Sequence, residues 1–310
     1  MQRQDTVSTE AESRPATVTS GASRTLIAAV LTILFWAAAF AGIREGLKGF
    51  SPFHVALLRY LTASIVLAVY ALVTRMPLPR WRDLPALALL GLIGFTVYNA
   101  LLNWGEVTVP SAVASFIIAS GPIFIALLAV FFLGERLRFL GWLGILISFA
   151  GVSVIAFSNG SGFEFDPRAI VILIAAAAQA VYAVGQKPLL KRYTPVQFIT
   201  YAIWFGTLFL LVFAPGLPDE LRTAPSSALI ACIFLGVCPG ALGYGTWSYV
   251  LAHAPASRAS TLLYVVPVGA LVIAWVWLGE VPSLVAVIGG FIVLAGVILV
   301  NTLGRRKSTA

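Results

Sequence analysis

Charged residues are scarce in this sequence, and their scarcity points to one class of protein. Asp, Glu, Lys and Arg make up 10% of the 310 residues, whereas hydrophobic residues make up 60%. A soluble domain carries about 25% charged residues. The apolar residues form runs of about twenty, the length that a helix needs to cross ~30 Å of hydrocarbon. The sequence therefore predicts an all-α integral membrane protein.

Other absences narrow the function. The two cysteines, Cys232 and Cys238, fall on different faces of one predicted helix and do not indicate a disulfide framework. No phosphate-binding glycine-lysine motif supports ATP-driven pumping. No metal-ligand cluster or nucleophile–base pair is evident, so we expect no catalytic residue, cofactor or metal. Glu106, Glu135 and Glu280 fall in predicted loops rather than helix centres, where proton relays normally place carboxylates.

An internal repeat organises the chain. One pattern returns at a constant offset without a gap: Pro110, Ala114-Ser115, Pro122, Leu133-Gly134-Glu135 and Ala150-Gly151-Val152 recur as Pro255, Ala259-Ser260, Pro267, Leu278-Gly279-Glu280 and Ala295-Gly296-Val297. The Ser51-Pro52 pair similarly returns as Thr194-Pro195. Each copy holds five predicted spans, and five is odd, so the second copy must enter the membrane from the opposite side. Inverted repeats of this kind are typical of transporters.

The predicted organisation follows from these runs. Ten transmembrane helices are expected at 25–43, 53–74, 84–104, 110–133, 138–157, 169–186, 196–214, 226–250, 257–278 and 282–303. They form two inverted five-helix repeats, 25–157 and 169–303, joined by an outer linker at 158–168. A disordered cytoplasmic tail, 1–24, precedes them, and a basic cytoplasmic tail, 304–310, follows them.

Lys and Arg residues set the predicted orientation. With the N-terminus inside, most of them face the cytoplasm, and Arg44, Lys48, Arg168 and Arg222 lie outside. This asymmetry follows the positive-inside rule and places both termini in the cytoplasm. It also accounts for the net charge of +8, so we expect no nucleic-acid partner.

These features resemble the drug/metabolite transporter superfamily, in its EamA-type ten-helix branch. The resemblance depends on Trp36 and Phe40 in the first span, Arg59 in the second, and the doubled Pro110–Val152 pattern, and it covers about 26–303. It implies a multi-pass protein of the inner (plasma) membrane that exports metabolites. Better-understood members of the superfamily include exporters of amino acids, among them aromatic ones.

Polar and aromatic residues deep in the predicted spans are the candidate binding residues, because polar groups within a bilayer usually face protein or a water-filled cavity. The expected substrate-binding set is Trp36, Tyr98, Asn99, Gln179, Tyr182, Tyr244, Trp247 and Tyr264. Ordinary helix packing and interhelical hydrogen bonding are the alternative for each of them. Helix breaks suggest hinge or gating positions at Pro122, Pro239, Gly240 and Pro267.

Two further polar side chains lie in the second predicted span, towards its outer end. Arg59 either attracts a substrate carboxylate and anchors a polar network, or extends along its stem to the outer interface. His54 is expected at the outer rim, exposed to solvent.

We interpret the protein as an exporter of small metabolites that works by facilitated alternating access. Amino acids, including aromatic ones, are the expected substrates. One alternative is an antiporter of sugar phosphates or nucleotide sugars, and another is a receptor or assembly factor without transport. The expected partners are a small-molecule substrate and the lipid bilayer, and the choice between monomer and homodimer stays open.

Overall fold

The computed structural model describes residues 19–133, 138–156, 166–253 and 262–303. Several predicted segments lie wholly or mostly outside these residues: most of the tail 1–24, the tail 304–310, most of the linker 158–168, the Gly134-Glu135 part of the first Leu-Gly-Glu turn, and the start of the ninth span. The described residues contain ten helical spans and no strand. They are α1 (Thr19–Gly46), α2 (Pro52–Val73), α3 (Trp81–Gly105), α4 (Ser111–Ile118 and Gly121–Leu133), α5 (Phe139–Ala156), α6 (Pro167–Gly185), α7 (Pro195–Leu210), α8 (Ser226–Leu235, Gly236–Leu242 and Gly243–His253), α9 (Leu263–Leu278) and α10 (Leu284–Thr302).

Local sequence explains where the equivalent helices α2 and α7 begin. Ser51 accepts a hydrogen bond from the backbone N–H of His54, and Thr194 forms a reciprocal capping pair with Gln197. A proline follows each cap at the first helical turn, where its missing N–H costs nothing. The repeated Ser/Thr-Pro pair therefore starts the second helix of both repeats.

Seven of the ten spans are long and apolar enough to cross a membrane, and α5, α9 and α10 are shorter apolar helices. Large apolar side chains are exposed along many of these helices, for example Leu72, Val73 and Val276. In water such a surface would be strongly unfavourable, whereas lipid tails cover it without cost. The prediction of an all-α membrane protein is confirmed.

Helix contacts show how the two repeats combine. Helix α1 packs against α8 and α9, and its counterpart α6 packs against α3 and α4. Helix α2 contacts both α7 and α8, and α7 also contacts α3. Exchanging each of these helices for its counterpart in the other repeat reproduces the contacts just named. This pattern is the one that a pseudo-twofold arrangement of two five-helix repeats requires.

Helices α5 and α10, the last helices of the two repeats, pack against each other along much of their length. A Cβ atom on Gly144 would lie 2.7 Å from the carbonyl oxygen of Gly296, and one on Gly151 would lie 2.7 Å from that of Gly289. As residue numbers rise along α5 they fall along α10, so the two helices run in opposite directions. The repeated glycines allow the backbones to touch, as small residues do between membrane helices.

Helices α3 and α8 carry the same irregularity at equivalent positions. A π-helical segment, Leu92–Val97, interrupts α3, and another, Gly236–Leu242, interrupts α8. An α-helical segment follows each of them directly. Tyr98 is the first residue of the segment in α3, and Tyr244 is the second residue of the segment in α8. Wider turns of this type often occur at functional sites, and here they precede two side chains that line a cavity.

Candidate functional site

A cavity of about 520 Å³ lies between the two repeats. Its wall is built from α1, α2, α3, α4, α6, α8 and α9, with Thr302 contributed by the end of α10. Five members of the predicted substrate-binding set line it: Trp36, Tyr98, Gln179, Tyr244 and Tyr264. Arg59 and two of the predicted hinge prolines, Pro122 and Pro267, line it as well.

Arg59 brings a cation into this largely apolar cavity. Its side chain is buried, and its Nη1 donates to Asn99 Oδ1 at 3.0 Å. Asn99 is held in turn, because its Nδ2 donates to the Tyr60 hydroxyl at 2.8 Å and to the Phe95 carbonyl at 2.9 Å. Asn99 itself is fully buried and stands behind Arg59 rather than in the cavity wall. The polar network therefore fixes the position of the guanidinium.

The guanidinium of Arg59 can donate further hydrogen bonds and has no negatively charged partner among the described residues. Its Nε has no hydrogen-bond partner, and no carboxylate in the described part of the chain forms an ion pair with it. A buried cation without a counter-charge is costly. An anionic group entering the cavity would reduce that cost.

Gln179 on α6 supplies the opposite hydrogen-bonding character. Its Oε1 is buried and accepts no hydrogen bond from any residue that the structure describes, although the residue lines the cavity. A buried carbonyl oxygen left in this way requires a donor. The cavity thus offers a cationic donor and a free acceptor within one mainly apolar wall.

Aromatic rings form much of the remaining wall and its backing. The Trp36 ring packs against Tyr244 with centroids 5.4 Å apart and against Trp247 at 5.7 Å. Phe95 lies behind them, 5.8 Å from Tyr244 and 5.3 Å from Tyr182. Trp247 and Tyr182 do not line the cavity; they hold the lining rings in place from behind. Such a wall suits an apolar group.

The predicted hinge residues occupy two kinds of position. Pro122 and Pro267 are expected near helix centres, but each is the second residue of an α-helical segment, Gly121–Leu133 or Val266–Leu278. At the first turn a proline displaces no helical hydrogen bond. Pro239 and Gly240 lie buried within the π-helical segment of α8, against α2 rather than in the cavity wall.

One end of the cavity is closed by polar contacts that the sequence did not suggest. We call it the Arg44 end; it contains the connections 47–51, 106–110 and 279–283. Arg44 Nε pairs with Glu280 Oε1 at 2.8 Å, and Arg44 Nη1 donates to the Glu106 carbonyl at 2.7 Å. Glu280 Oε2 also accepts the Ser111 N–H at 3.1 Å. These bonds tie α1, α4 and the α9–α10 connection together.

At the opposite end, most of the α4–α5 and α8–α9 connections lie outside the described residues. We call it the Asp83 end, after the residue that joins the α2–α3 and α6–α7 connections through Arg192 and Tyr193. The cavity wall reaches this end at Leu263, the first residue of α9, and at Thr302, the last of α10. The cavity therefore extends towards the Asp83 end, and the polar contacts of Arg44 and Glu280 close it at the Arg44 end.

His54 is not exposed to solvent, and that expectation was wrong. The side chain is buried, with Nδ1 2.6 Å from Glu220 Oε2 and Nε2 2.7 Å from the Phe213 carbonyl oxygen. A short helix, Leu217–Thr223, explains this placement because it carries Glu220 over the start of α2. Glu220 also accepts the Ser51 N–H at 2.9 Å.

Two helical repeats packed around a cavity between apolar spans define a multi-pass membrane protein of the transporter class. The chain matches the model of the EamA-like transporter family over residues 23–157 and 167–302. It belongs to this family, as the resemblance predicted, and the two matched segments correspond to the two repeats.

Relatives agree with this assignment. The chain is 43% identical over 290 residues to a "Probable terminal-alkyne amino-acid exporter" of Streptantibioticus cattleyicolor, covering 93% of this chain and 97% of the relative. It is also 43% identical to the "Uncharacterized transporter YdfC" of Bacillus subtilis, covering 88% and 89%. A solved crystal structure, 22% identical with a TM-score of 0.60, covers 91% of this chain and 97% of its own and shares the fold. The protein is therefore a membrane transporter with a small-molecule substrate.

Proposed function

We propose that this transporter exports amino acids with apolar or aromatic side chains. The observation that carries the proposal is the pairing of a buried, unneutralised Arg59 with an unpartnered Gln179 oxygen in an aromatic cavity. An amino acid carries complementary groups: its carboxylate pairs with the guanidinium, its ammonium donates to Gln179 Oε1, and its side chain packs on Trp36 and Tyr244. The name of the Streptantibioticus relative supports the same substrate class.

The charge of the cavity lining argues against a sugar phosphate or nucleotide sugar, the main alternative substrate. Its volume falls within the range of about 300–1,000 Å³ that is usual for small-molecule sites. Arg59 is the single cation among its described lining residues. A sugar phosphate or nucleotide sugar carries two or more negative charges and would be expected to meet several Lys or Arg residues.

Alternating access is the mechanism that this architecture supports best. The pseudo-twofold arrangement gives two nearly equivalent ways to pack the repeats, and one end of the cavity is closed here. We propose that the protein lies in the inner membrane with both termini in the cytoplasm, so that the Arg44 end faces outwards. The closed Arg44 end then separates the cavity from the outside, and the cavity extends towards the cytoplasm, the side on which an exporter collects its substrate. Transport is proposed to be downhill, since no Asp or Glu is found among the described cavity-lining residues.

Substrate analogues test the proposed binding mode on the unaltered protein. Phenylalanine, its decarboxylated amine and its amide would be compared as competitors of labelled phenylalanine for the purified transporter. We expect phenylalanine to compete and both analogues to be weaker by at least about tenfold, because a hydrogen bond to a charged group contributes about 1.5–3 kcal/mol. Equal competition by the amine would rule out the carboxylate–Arg59 pairing, and no binding of any amino acid tried would rule out the substrate class.

A further inference from the structure

Glu106 differs from every other carboxylate in the described part of the chain. Its side chain is fully buried, and both carboxyl oxygens lack a hydrogen-bond partner. It follows the last residue of α3, and its backbone N–H donates to the Leu102 carbonyl at 2.9 Å. Leu102 lines the cavity, so Glu106 lies one helical turn beyond the closed end of the cavity.

The closure at the Arg44 end forms directly beside this carboxyl group. Arg44 donates to the carbonyl oxygens of Glu106 and Val107, at 2.7 and 3.0 Å, and directs its Nε to Glu280. Its hydrogen bonds therefore go to backbone and to Glu280, and none goes to the Glu106 carboxyl. Separating α1 from the α9–α10 connection would break the Arg44–Glu280 pair and uncover the turn that carries Glu106.

The charged groups around Glu106 do not neutralise it by direct contact. Arg44 on α1 and Arg59 on α2 act on it from a distance, and Glu280 acts with the opposite sign. At the start of α6, which packs on the same turn, the charged groups are Asp166, which accepts a hydrogen bond from Thr108 at 2.8 Å, and Arg168.

This environment favours the neutral form of the carboxyl group. Burial raises the pKa of Glu106 well above its ordinary value of 4.5, Arg44 and Arg59 lower it, and Glu280 raises it. Burial is the largest of these effects, because an ionised carboxylate without hydrogen bonds is poorly stabilised in a dry site. The closed conformation thus binds this proton more tightly than a water-exposed carboxyl group would.

We propose that Glu106 is the proton-binding group of a gate formed with Arg44 and Glu280, and that a bound proton favours the closed gate. When the Arg44 end opens, water reaches the carboxyl group, and the proton passes to water on that side. On closing, a proton returns from the same side. The proton therefore controls how often the gate opens and does not drive accumulation of substrate. The meaning of this gate for transport rests on the function proposed above.

The direction of the pH effect follows from the two conformations. The closed gate binds the proton more tightly than the open gate, so its stabilisation is complete below the ordinary carboxyl value of 4.5. That stabilisation is lost as the pH rises through the higher pKa of the closed form. For a single proton, the ratio of closed to open molecules falls by at most about tenfold per pH unit within this window.

The width of the gate can be measured without any substrate. Val107 and Val281 are exposed residues on the two connections that Arg44 joins. Both would be changed to cysteine and spin-labelled in a protein whose own cysteines are replaced, Cys232→Ala and Cys238→Ala. Pulsed electron paramagnetic resonance in lipid nanodiscs then gives the distance distribution between about pH 5 and about pH 9. We expect the short-distance population to shrink as the pH rises.

Substitutions assign the response to one carboxyl group. Glu106→Gln and Glu106→Leu, both permanently neutral, should keep the short distance at every pH. Glu45→Gln is the matched control at the same end, since Glu45 pairs with Lys48, and it should retain the response of the parent protein. Glu280→Gln should lower the closed population and keep a pH response, which moves to lower pH because Glu280 no longer raises the pKa of Glu106. A pH response that persists in both Glu106 variants, or its absence from the parent, would overturn the proposal. Neither result depends on whether amino acids are transported.

Discussion

At the scale of single residues, the site depends on a few polar groups held in an apolar wall. Arg59 is positioned by Asn99, and Asn99 is positioned by Tyr60 and Phe95. Asn99 thus affects the cavity without lining it. The sequence identified both residues because polar groups are rare in apolar helices, but it could not distinguish the residue that faces the cavity from the one behind it. That distinction depends on the rotation of α2 and α3.

Replacing Asn99 tests this indirect role. Asn99→Leu has a similar volume but leaves Arg59 Nη1 and the Tyr60 hydroxyl without their partner. We expect a loss of stability of about 1–3 kcal/mol and weaker substrate binding, both measured on purified protein by thermal unfolding and by competition. Tyr244→Phe is the comparison, since it keeps the ring beside Trp36 and should leave stability near that of the parent. Unchanged binding in Asn99→Leu at equal abundance would show that Asn99 only ties helices together.

At the scale of helices, the sequence predicted the spans and their repetition, because hydropathy and recurring prolines and glycines are local signals. It did not predict the closure at the Arg44 end. Glu106 and Glu280 stand beside turns, where a sequence suggests solvent, yet packing against other helices buries the first and pairs the second. The burial of His54 was not predicted for the same reason, since the helix that covers it is distant in sequence. Burial by a distant segment leaves no local pattern.

The α5–α10 contact gives a prediction at this scale. Gly151→Ala would place a methyl group 2.7 Å from the Gly289 carbonyl oxygen and from the Val293 backbone nitrogen, so the helices must move apart. We expect a destabilisation of about 1–3 kcal/mol, as for other overpacked contacts, seen as a lower unfolding temperature in detergent. Gly245→Ala is the control, since a Cβ there meets nothing within 4 Å, and it should be neutral or stabilising. Equal stability of the two variants would contradict the close packing described here.

At the scale of the whole molecule, two five-helix repeats pack against each other and enclose a cavity between them. Polar contacts close this cavity at the Arg44 end. The family and the ten-helix bundle were predictable from sequence because the chain repeats its own pattern. The conformation was not, because both ends of an inverted repeat carry similar local signals. What distinguishes the ends is a set of contacts between helices distant in sequence, such as the Arg44–Glu280 pair.

Membrane orientation is a separate prediction for the whole chain. A reporter that is active only in the cytoplasm would be fused after Ala310 and, in a second version, after Gly160 in the α5–α6 connection. The excess of Lys and Arg on one side predicts activity only for the fusion at Ala310. Activity only after Gly160 would reverse the assignment of the two ends.

The most direct test of the account is downhill efflux of labelled phenylalanine from proteoliposomes with equal pH on both sides. We predict saturable efflux for the parent protein and for Arg82→Gln, a control that removes an exposed arginine outside the cavity. Arg59→Gln should lower the efflux at subsaturating substrate by roughly thirtyfold, the equivalent of about 2 kcal/mol for a lost charged hydrogen bond. Efflux by Arg59→Gln at the rate of the parent, with equal protein in the vesicles, would contradict the proposal that this cavity binds the carboxylate of an exported amino acid.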